Sequence, residues 1–184
     1  MYFRAFTVFA WLPLLSFAGD ACRSGPQVDE RTGPYAALIA VGPQRGMSHC
    51  FICEAAEKPT VAVFARALSE PLGKLVHQLD RALAAHKGSD LTIWVTFLSD
   101  DPTRTDPKVV DWSKQHATGS IPLGVYNDSV GPPTYLLARD ADVTVLLNNK
   151  QKVVANFAFR QGELNDAAMG RVLKTIPSII TKAK

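Results

Sequence analysis

Two apolar, β-rich runs, each followed by a helical pattern, constrain the fold of this chain most strongly. TVAVFAR (60–66) and LTIWVTFL (91–98) are apolar without strict alternation, as expected for strands that are covered on both faces. Between them, residues 68–87 carry apolar side chains at helical spacing, and Gly88 ends that pattern. Strands that alternate with helices are joined by right-handed crossovers. The sequence therefore predicts an α/β fold with a mixed central β-sheet and helices on both faces.

The rest of the chain extends this alternation. From the same periodicities we expect an edge strand at 35–41, a helix at 107–117 with Pro107 in its first turn, a strand at 121–126, a hairpin of strands at 143–148 and 152–159, and a C-terminal helix that Pro177 interrupts or ends. The polar stretch just before Pro107 is expected to be a loop, and Ser48 is expected to cap a short helical turn. No internal repeat or low-complexity stretch appears.

The N-terminus is typical of a secretory signal peptide. A single basic residue, Arg4, precedes an apolar run from Ala5 to Ala18 that is too short to span a bilayer comfortably, and small residues follow it. A retained anchor and a lipid on Cys22 are alternatives, although Asp20 argues against the lipid. We predict a signal peptide at 1–21, a linker at 22–34 and one domain at 35–184. The predicted location is extracytoplasmic, either periplasmic or secreted.

Charge and composition narrow the function classes. The formal net charge of +3 is small and scattered, which argues against binding to nucleic acid or to a membrane surface. The sequence contains no Gly-rich phosphate loop, and it predicts no cofactor. The DxDxT string of Asp140, Asp142 and Thr144 precedes an apolar strand instead of following one, so it predicts a turn rather than a phosphatase site. Trp94, Phe97 and Trp112 are predicted to be core residues.

The strongest candidate site is the CxxC pair in SHCFICEAAEKP (48–59). In an oxidising compartment Cys50 and Cys53 can form a disulfide, which leaves Cys22 over. As a redox site, Cys50 would be the attacking thiolate, Cys53 the resolving thiol, and the adjacent His49 a group that tunes Cys50. A structural disulfide and a metal site remain alternatives, although adjacent His and Cys rarely bind one tetrahedral ion together. Covalent haem is excluded, because Glu54 stands where a histidine is required.

From Pro59 to Ile180 the element order resembles the thioredoxin-like superfamily in its peroxiredoxin-like form. That resemblance implies a nucleophilic cysteine after the first buried strand, yet ALSEPLGK (67–74) has none and Ser69 is its only hydroxyl. It also implies a cis-proline before the penultimate strand, where Val143–Thr144 stands instead. The stretch 42–64 is similar to extracytoplasmic, planctomycete-type thioredoxin-like proteins, which have no established reaction.

These observations leave two hypotheses for the function. The first is an atypical thiol–disulfide oxidoreductase that uses the upstream cysteine pair on protein or peptide thiols and disulfides. The second is a non-catalytic binding module in which Cys50–Cys53 is a structural disulfide. It would hold a protein or peptide at the edge of its sheet, or at the face where the family's usual active site is missing. Because the pair precedes a strand about 23 Å long, it lies at the far end of the sheet unless the chain doubles back. Arg66, at the end of that strand, could bind an anion there, but it is expected to pair with Glu70.

Overall fold

Seven strands form one mixed sheet in this computed structural model, which describes residues 20–180. The strands are β1 (Ala37–Val41), β2 (Ser48–His49), β3 (Thr60–Ala65), β4 (Thr92–Leu98), β5 (Leu123–Tyr126), β6 (Val143–Asn149) and β7 (Lys152–Phe159). The helices are α1 (Phe51–Ala55), α2 (Glu70–Ala85), α3 (Pro102–Gln115) and α4 (Asp166–Thr175), with short 3₁₀ turns at Pro133–Tyr135 and Ile176–Ser178. The predicted signal peptide, except for its last two residues, lies outside the described residues.

The order of strands across the sheet is β2-β1-β5-β4-β3-β6-β7. β3 runs parallel to β4 and antiparallel to β6, so Ala62 lies opposite Trp94 on one side and Leu146 on the other. Every residue of β3 is buried. This confirms the prediction of a central strand that is covered on both faces.

The two faces of the sheet are covered differently. α2, α3 and α4 all pack on one face, through side chains such as Leu75, Trp112 and Val172. On the other face, within the described residues, the only α-helix is α1, which packs beside Tyr35, Tyr135 and Leu137. The α/β architecture with helices on both faces is therefore confirmed, with one face much more lightly covered than the other.

Two predicted element boundaries are wrong. α3 begins at Pro102 instead of Pro107, because Asp101 caps it by accepting a hydrogen bond from the Arg104 N–H at 3.0 Å. The stretch expected to be a loop thus forms the first helical turn, and Pro107 lies inside the helix. Ser48 caps no helix either: it belongs to β2, and Cys50 is the residue before α1.

The stretch 22–34, interpreted as a linker, lies along β6 and β7. The Ser24 hydroxyl is 2.7 Å from that of Thr144, and the Asn156 amide donates to the carbonyls of Ser24 and Pro26. Backbone hydrogen bonds further along the stretch join Asp29 and Glu30 to Val153. Polar side chains thus hold an otherwise irregular segment against the sheet. No helix in the described part is long and apolar enough to cross a membrane.

Candidate functional site

The cysteine pair lies at the start of α1, directly after the edge strand β2. Cys50 and Cys53 form a disulfide, with their Cα atoms 5.3 Å apart. Main-chain hydrogen bonds close its two ends, from Glu54 N to the Cys50 carbonyl and from Ala56 N to the Ile52 carbonyl, both 3.2 Å long. No side chain caps its N-terminus. α1 is therefore a short element that is held in place mainly by side-chain packing.

That packing orients the two cysteines differently. Phe51, Ile52 and Ala55 are buried against the sheet. At 100° per residue, this places Cys53 on the outer side of the helix, where it is exposed. Cys50 is half-buried and packs against the same apolar cluster as Phe51. One sulfur-bearing residue thus faces solvent and the other faces the protein.

The surface beneath α1 is an aromatic cluster with buried polar groups. Phe51 stacks on Trp94, and the Trp94 indole N–H donates a hydrogen bond of 2.8 Å to the Tyr35 hydroxyl. The same hydroxyl is 2.8 Å from the Thr96 hydroxyl. Burial raises the pKa of Tyr35 above its usual range, so the phenol stays neutral. These contacts fix the apolar surface on which α1 packs.

His49 and Glu54 flank the disulfide. The His49 Nε2 atom lies 2.7 Å from a Glu54 carboxylate oxygen, although the two groups are not aligned as a hydrogen bond. The rings of His49 and Phe51 pack edge to face, with centroids 4.8 Å apart. The Glu54 side chain is largely exposed, whereas that of His49 is only 20% exposed. An imidazole on the residue before Cys50 and a carboxylate one helical turn after it are therefore held close together.

The sheet register shows that the chain doubles back before the cysteine pair. One row of paired residues crosses the sheet through Ala65, Phe97, Val125, Leu38 and Ser48. The pair is therefore close to the level of the carboxyl end of β3, not at the far end of the sheet. Four inter-strand steps still separate β2 from β3, a distance of about 19 Å.

Arg66 occupies the position that follows β3. Its guanidinium donates to the carbonyls of Ala141 at 3.0 Å and Ala138 at 3.1 Å, and also to those of Ser129 and Val130. The predicted ion pair with Glu70 is wrong: Glu70 pairs with Lys74 at 3.0 Å. Four carbonyls from the connection between β5 and β6 are a more complete set of partners for the five N–H donors of an arginine. Arg66 thus fixes this connection.

Ser69 and Asp142 complete this end of the sheet. Ser69 caps α2, accepting from the Leu72 N–H at 3.4 Å. Asp142 is half-buried beside Arg66, and burial raises the pKa of its carboxyl, an effect that the Arg66 charge partly offsets. The predicted turn before β6 is confirmed at Asp140 and Asp142, and Thr144 is buried within β6. The predicted burial of Trp94, Phe97 and Trp112 is also confirmed.

Cys22 lies beside β7, at the opposite edge of the sheet from β2 and the cysteine pair. It lines a surface groove of about 400 Å³ beside β7, with Phe157 and Arg171. Burial, followed by the negative charge of Asp140, raises the pKa of its thiol. No group of three or more His, Cys, Asp or Glu side chains in the described residues is arranged to hold a metal ion.

Several solved structures superpose on this chain along most of its length. A thioredoxin domain of a thiol-disulfide oxidoreductase from Bacteroides vulgatus aligns with a TM-score of 0.61 at 14% identity, over 85% of this chain and 99% of its own. The chain has a thioredoxin-like fold. The prediction from element order is thus confirmed, and these low identities show the fold alone.

Two further solved structures match the chain over a similar length. A DsbF homologue from Corynebacterium diphtheriae aligns with a TM-score of 0.61 at 14% identity, over 94% of this chain and 99% of its own. A peroxidoxin from Mycobacterium tuberculosis aligns with a TM-score of 0.57 at 15% identity, over 86% and 98%. No protein-family model and no curated protein matches the sequence.

Within this thioredoxin-like fold, the chain departs from the usual site as its sequence predicted. Residues 66–69, between β3 and α2, contain an arginine and a serine but no cysteine, and both polar side chains are engaged by neighbouring backbone. The described residues contain no cis peptide bond. The side chains that can carry out thiol chemistry are Cys50, Cys53 and the isolated Cys22. Sequence reasoning found this pair, but it did not find Glu54, whose proximity to His49 depends on the helical turn between them.

Proposed function

We propose that this protein carries out thiol–disulfide exchange through Cys50 and Cys53, acting on protein or peptide thiols and disulfides in an extracytoplasmic compartment. The observation that carries the proposal is the exposure of one half of the Cys50–Cys53 disulfide on the surface of α1. A buried disulfide is inert because no thiolate can reach it, whereas exposed ones are the labile and catalytic ones. His49 and Glu54 add proton-transferring groups beside it.

The small size of the disulfide loop argues against a purely structural role. The two cysteines are three positions apart, so the bond closes a very short loop. On the chain-entropy relation, a loop of this size stabilises the folded state by about 2 kcal/mol, which is at the low end for disulfides. α1 already has three buried side chains that anchor it to the sheet. A staple here adds little, and it is not needed to place the helix.

The disulfide bond of the pair accepts the two electrons that the exchange removes from the substrate, so no further oxidant is needed. In the oxidising direction, a substrate thiolate attacks one sulfur of the Cys50–Cys53 bond, and the other sulfur leaves as a thiolate. That thiolate takes up a proton, for which His49 is the nearest imidazole in the chain. A second substrate thiolate then attacks the mixed disulfide, forming the substrate disulfide and releasing the pair as a dithiol. The substrate loses two electrons and the pair gains them.

The N-terminal sequence supports the compartment. A signal peptide would deliver the domain to an environment in which a disulfide such as Cys50–Cys53 persists. Thiol or disulfide groups of exported proteins would then be available as substrates. Among the structural neighbours, the Bacteroides vulgatus domain belongs to a thiol-disulfide oxidoreductase.

The test is a stopped exchange assay on the purified protein. Reduced protein is mixed with a synthetic peptide that contains one disulfide, and free peptide thiols are counted by mass after acid quenching. We expect one peptide disulfide to be reduced for each protein, and none by the Cys50→Ser/Cys53→Ser double variant. Cys22→Ser is the matched control and should exchange like the unmodified protein. If the double variant exchanges as fast as Cys22→Ser, the proposal is wrong.

A further inference from the structure

We infer that Cys53, the second cysteine of the pair, is the sulfur that substrates attack and the nucleophile of the reduced form, and that Cys50 is the leaving and resolving group. This inference rests on the proposed function and assigns its chemistry to individual atoms. It reverses the order that the sequence alone suggests, in which the first cysteine of a CxxC pair attacks. The reversal follows from how α1 is seated on the sheet.

The two cysteines face in different directions. Phe51 and Ala55 lie four residues apart on the buried side of α1, and Ile52 is buried beside them. Cys53 is therefore turned outward, and it is exposed. Cys50 precedes the helix and packs against the cluster that contains Phe51 and Ile52. The seating of the helix cannot be changed without exposing these apolar side chains.

The geometry of exchange also distinguishes the two cysteines. An attacking thiolate approaches a disulfide sulfur along the line of the S–S bond, from the side opposite the leaving sulfur. Cys53 is open to attack from solvent, whereas the apolar cluster that packs against the half-buried Cys50 restricts the approach to it. Because the site of attack depends on access, exchange at Cys53 is the faster reaction. The bond that breaks is Cys50–Cys53, and the new bond joins the substrate sulfur to Cys53.

The surroundings of Cys50 suit the leaving sulfur. Cys50 departs as a thiolate next to His49, whose imidazole is held near Glu54 and can donate the proton that the thiolate takes up. In the reverse direction, the Cys53 thiolate attacks a substrate disulfide, and Cys50 then attacks Cys53 to release the second substrate thiol. Cys50 needs to reach only one sulfur, that of Cys53, so its partial burial does not hinder this role.

The test compares the two single variants, each in the Cys22→Ser background so that one thiol remains. Cys50→Ser keeps only Cys53, and Cys53→Ser keeps only Cys50. Each is treated with substoichiometric iodoacetamide and, separately, with a peptide disulfide, and adducts are followed by mass. We expect the Cys53 thiol to be modified at least tenfold faster, and Cys50→Ser to accumulate the stable mixed disulfide. Far-ultraviolet circular dichroism establishes that both variants are folded.

The outcomes separate this inference from the proposed function. Faster modification of Cys50 than of Cys53, with exchange by the parent protein intact, overturns the assigned order and leaves the exchange activity standing. Loss of exchange activity in the parent protein removes the proposed function, whichever thiol is modified faster. Equal rates for the two thiols also contradict the inference, because the structure gives them unequal exposure. As a second readout, partial labelling of reduced Cys22→Ser protein followed by peptide mapping should find the first label on Cys53.

Discussion

The ring of Phe51 stacks on the indole of Trp94, with centroids 5.5 Å apart and ring planes 21° apart. This contact joins the helix that carries the disulfide to the middle of the sheet. It lies on the face that has only α1 among the α-helices of the described residues, so the segment around the cysteine pair also covers part of the core. The position of the cysteine pair and the packing of the domain are therefore connected through this helix.

Replacing Phe51 with Ala should destabilise the protein by about 3 kcal/mol. The ring is 5% exposed, and its removal leaves a cavity above Trp94 as well as losing the transfer energy of the ring. Urea unfolding measures the change, and Glu57→Ala, at an exposed position just beyond the helix, is the control, with an expected change below about 0.5 kcal/mol. A loss of less than about 1 kcal/mol at Phe51 would show that α1 is not seated as described.

Reduction of the disulfide should loosen α1 and leave the sheet unchanged. The helix is only five residues long and has no side-chain cap, so without the covalent bond its amides should open more often, although its buried side chains still hold it on the sheet. Hydrogen exchange before and after reduction should show faster exchange at the Glu54 and Ala56 amides. The amides of β3, paired on both sides, serve as the internal reference and should not change. Unchanged exchange across residues 50–56 would contradict the prediction.

Arg66→Met should lower the free energy of unfolding by about 2 kcal/mol and leave exchange at the cysteine pair unaffected. The substitution keeps an unbranched apolar side chain but leaves four carbonyls of the β5–β6 connection without their donor. Thermal unfolding and the peptide exchange assay measure the two effects. Arg139→Met, at an exposed position nearby, is the control and should change neither. Loss of exchange in folded Arg66→Met protein would show that the chemistry depends on the residues that follow β3 and not on the cysteine pair alone.

The stability of the protein should depend on pH through the ionisation of Asp142. Burial raises the pKa of this carboxyl in the folded protein, so the folded state holds the proton more tightly than the unfolded state. Its contribution to stability is therefore fully present below the ordinary aspartate pKa, about 3.9, and is lost as pH rises through the folded-state value. The melting temperature of the unmodified protein should fall relative to that of Asp142→Asn as pH is raised through this range. A constant difference between the two would show that the carboxyl is not desolvated.

Local patterns in the sequence were sufficient to predict most of the framework. The continuous apolar runs predicted β3 and β4 because a strand that is buried on both faces has few alternatives, and the spacing of apolar residues predicted α2. The start of α3 was missed because Pro102 and Pro107 both suit a first turn, and only the cap at Asp101 distinguishes them. β2 was missed because two residues are too few to show a period.

The site was only partly predictable, for a different reason. The CxxC motif identified Cys50 and Cys53 directly. The exposure of each cysteine depends on which face of α1 meets the sheet, which is a tertiary property. The level of the pair along the sheet depends on the reversal between β1 and β2, and the partners of Arg66 come from residues more than sixty positions away. None of these relationships is encoded in local spacing.

The measurement that tests the central claim most directly is the reduction potential of the Cys50–Cys53 pair. Purified Cys22→Ser protein is equilibrated with glutathione mixtures of known ratio, and reduced thiols are counted by mass tagging. If the pair carries out thiol–disulfide exchange, we expect a potential between about −270 and −120 mV, the range of catalytic thiol–disulfide proteins. A potential below about −300 mV, where structural disulfides of secreted proteins lie, would contradict it and would make the pair a staple of a binding module.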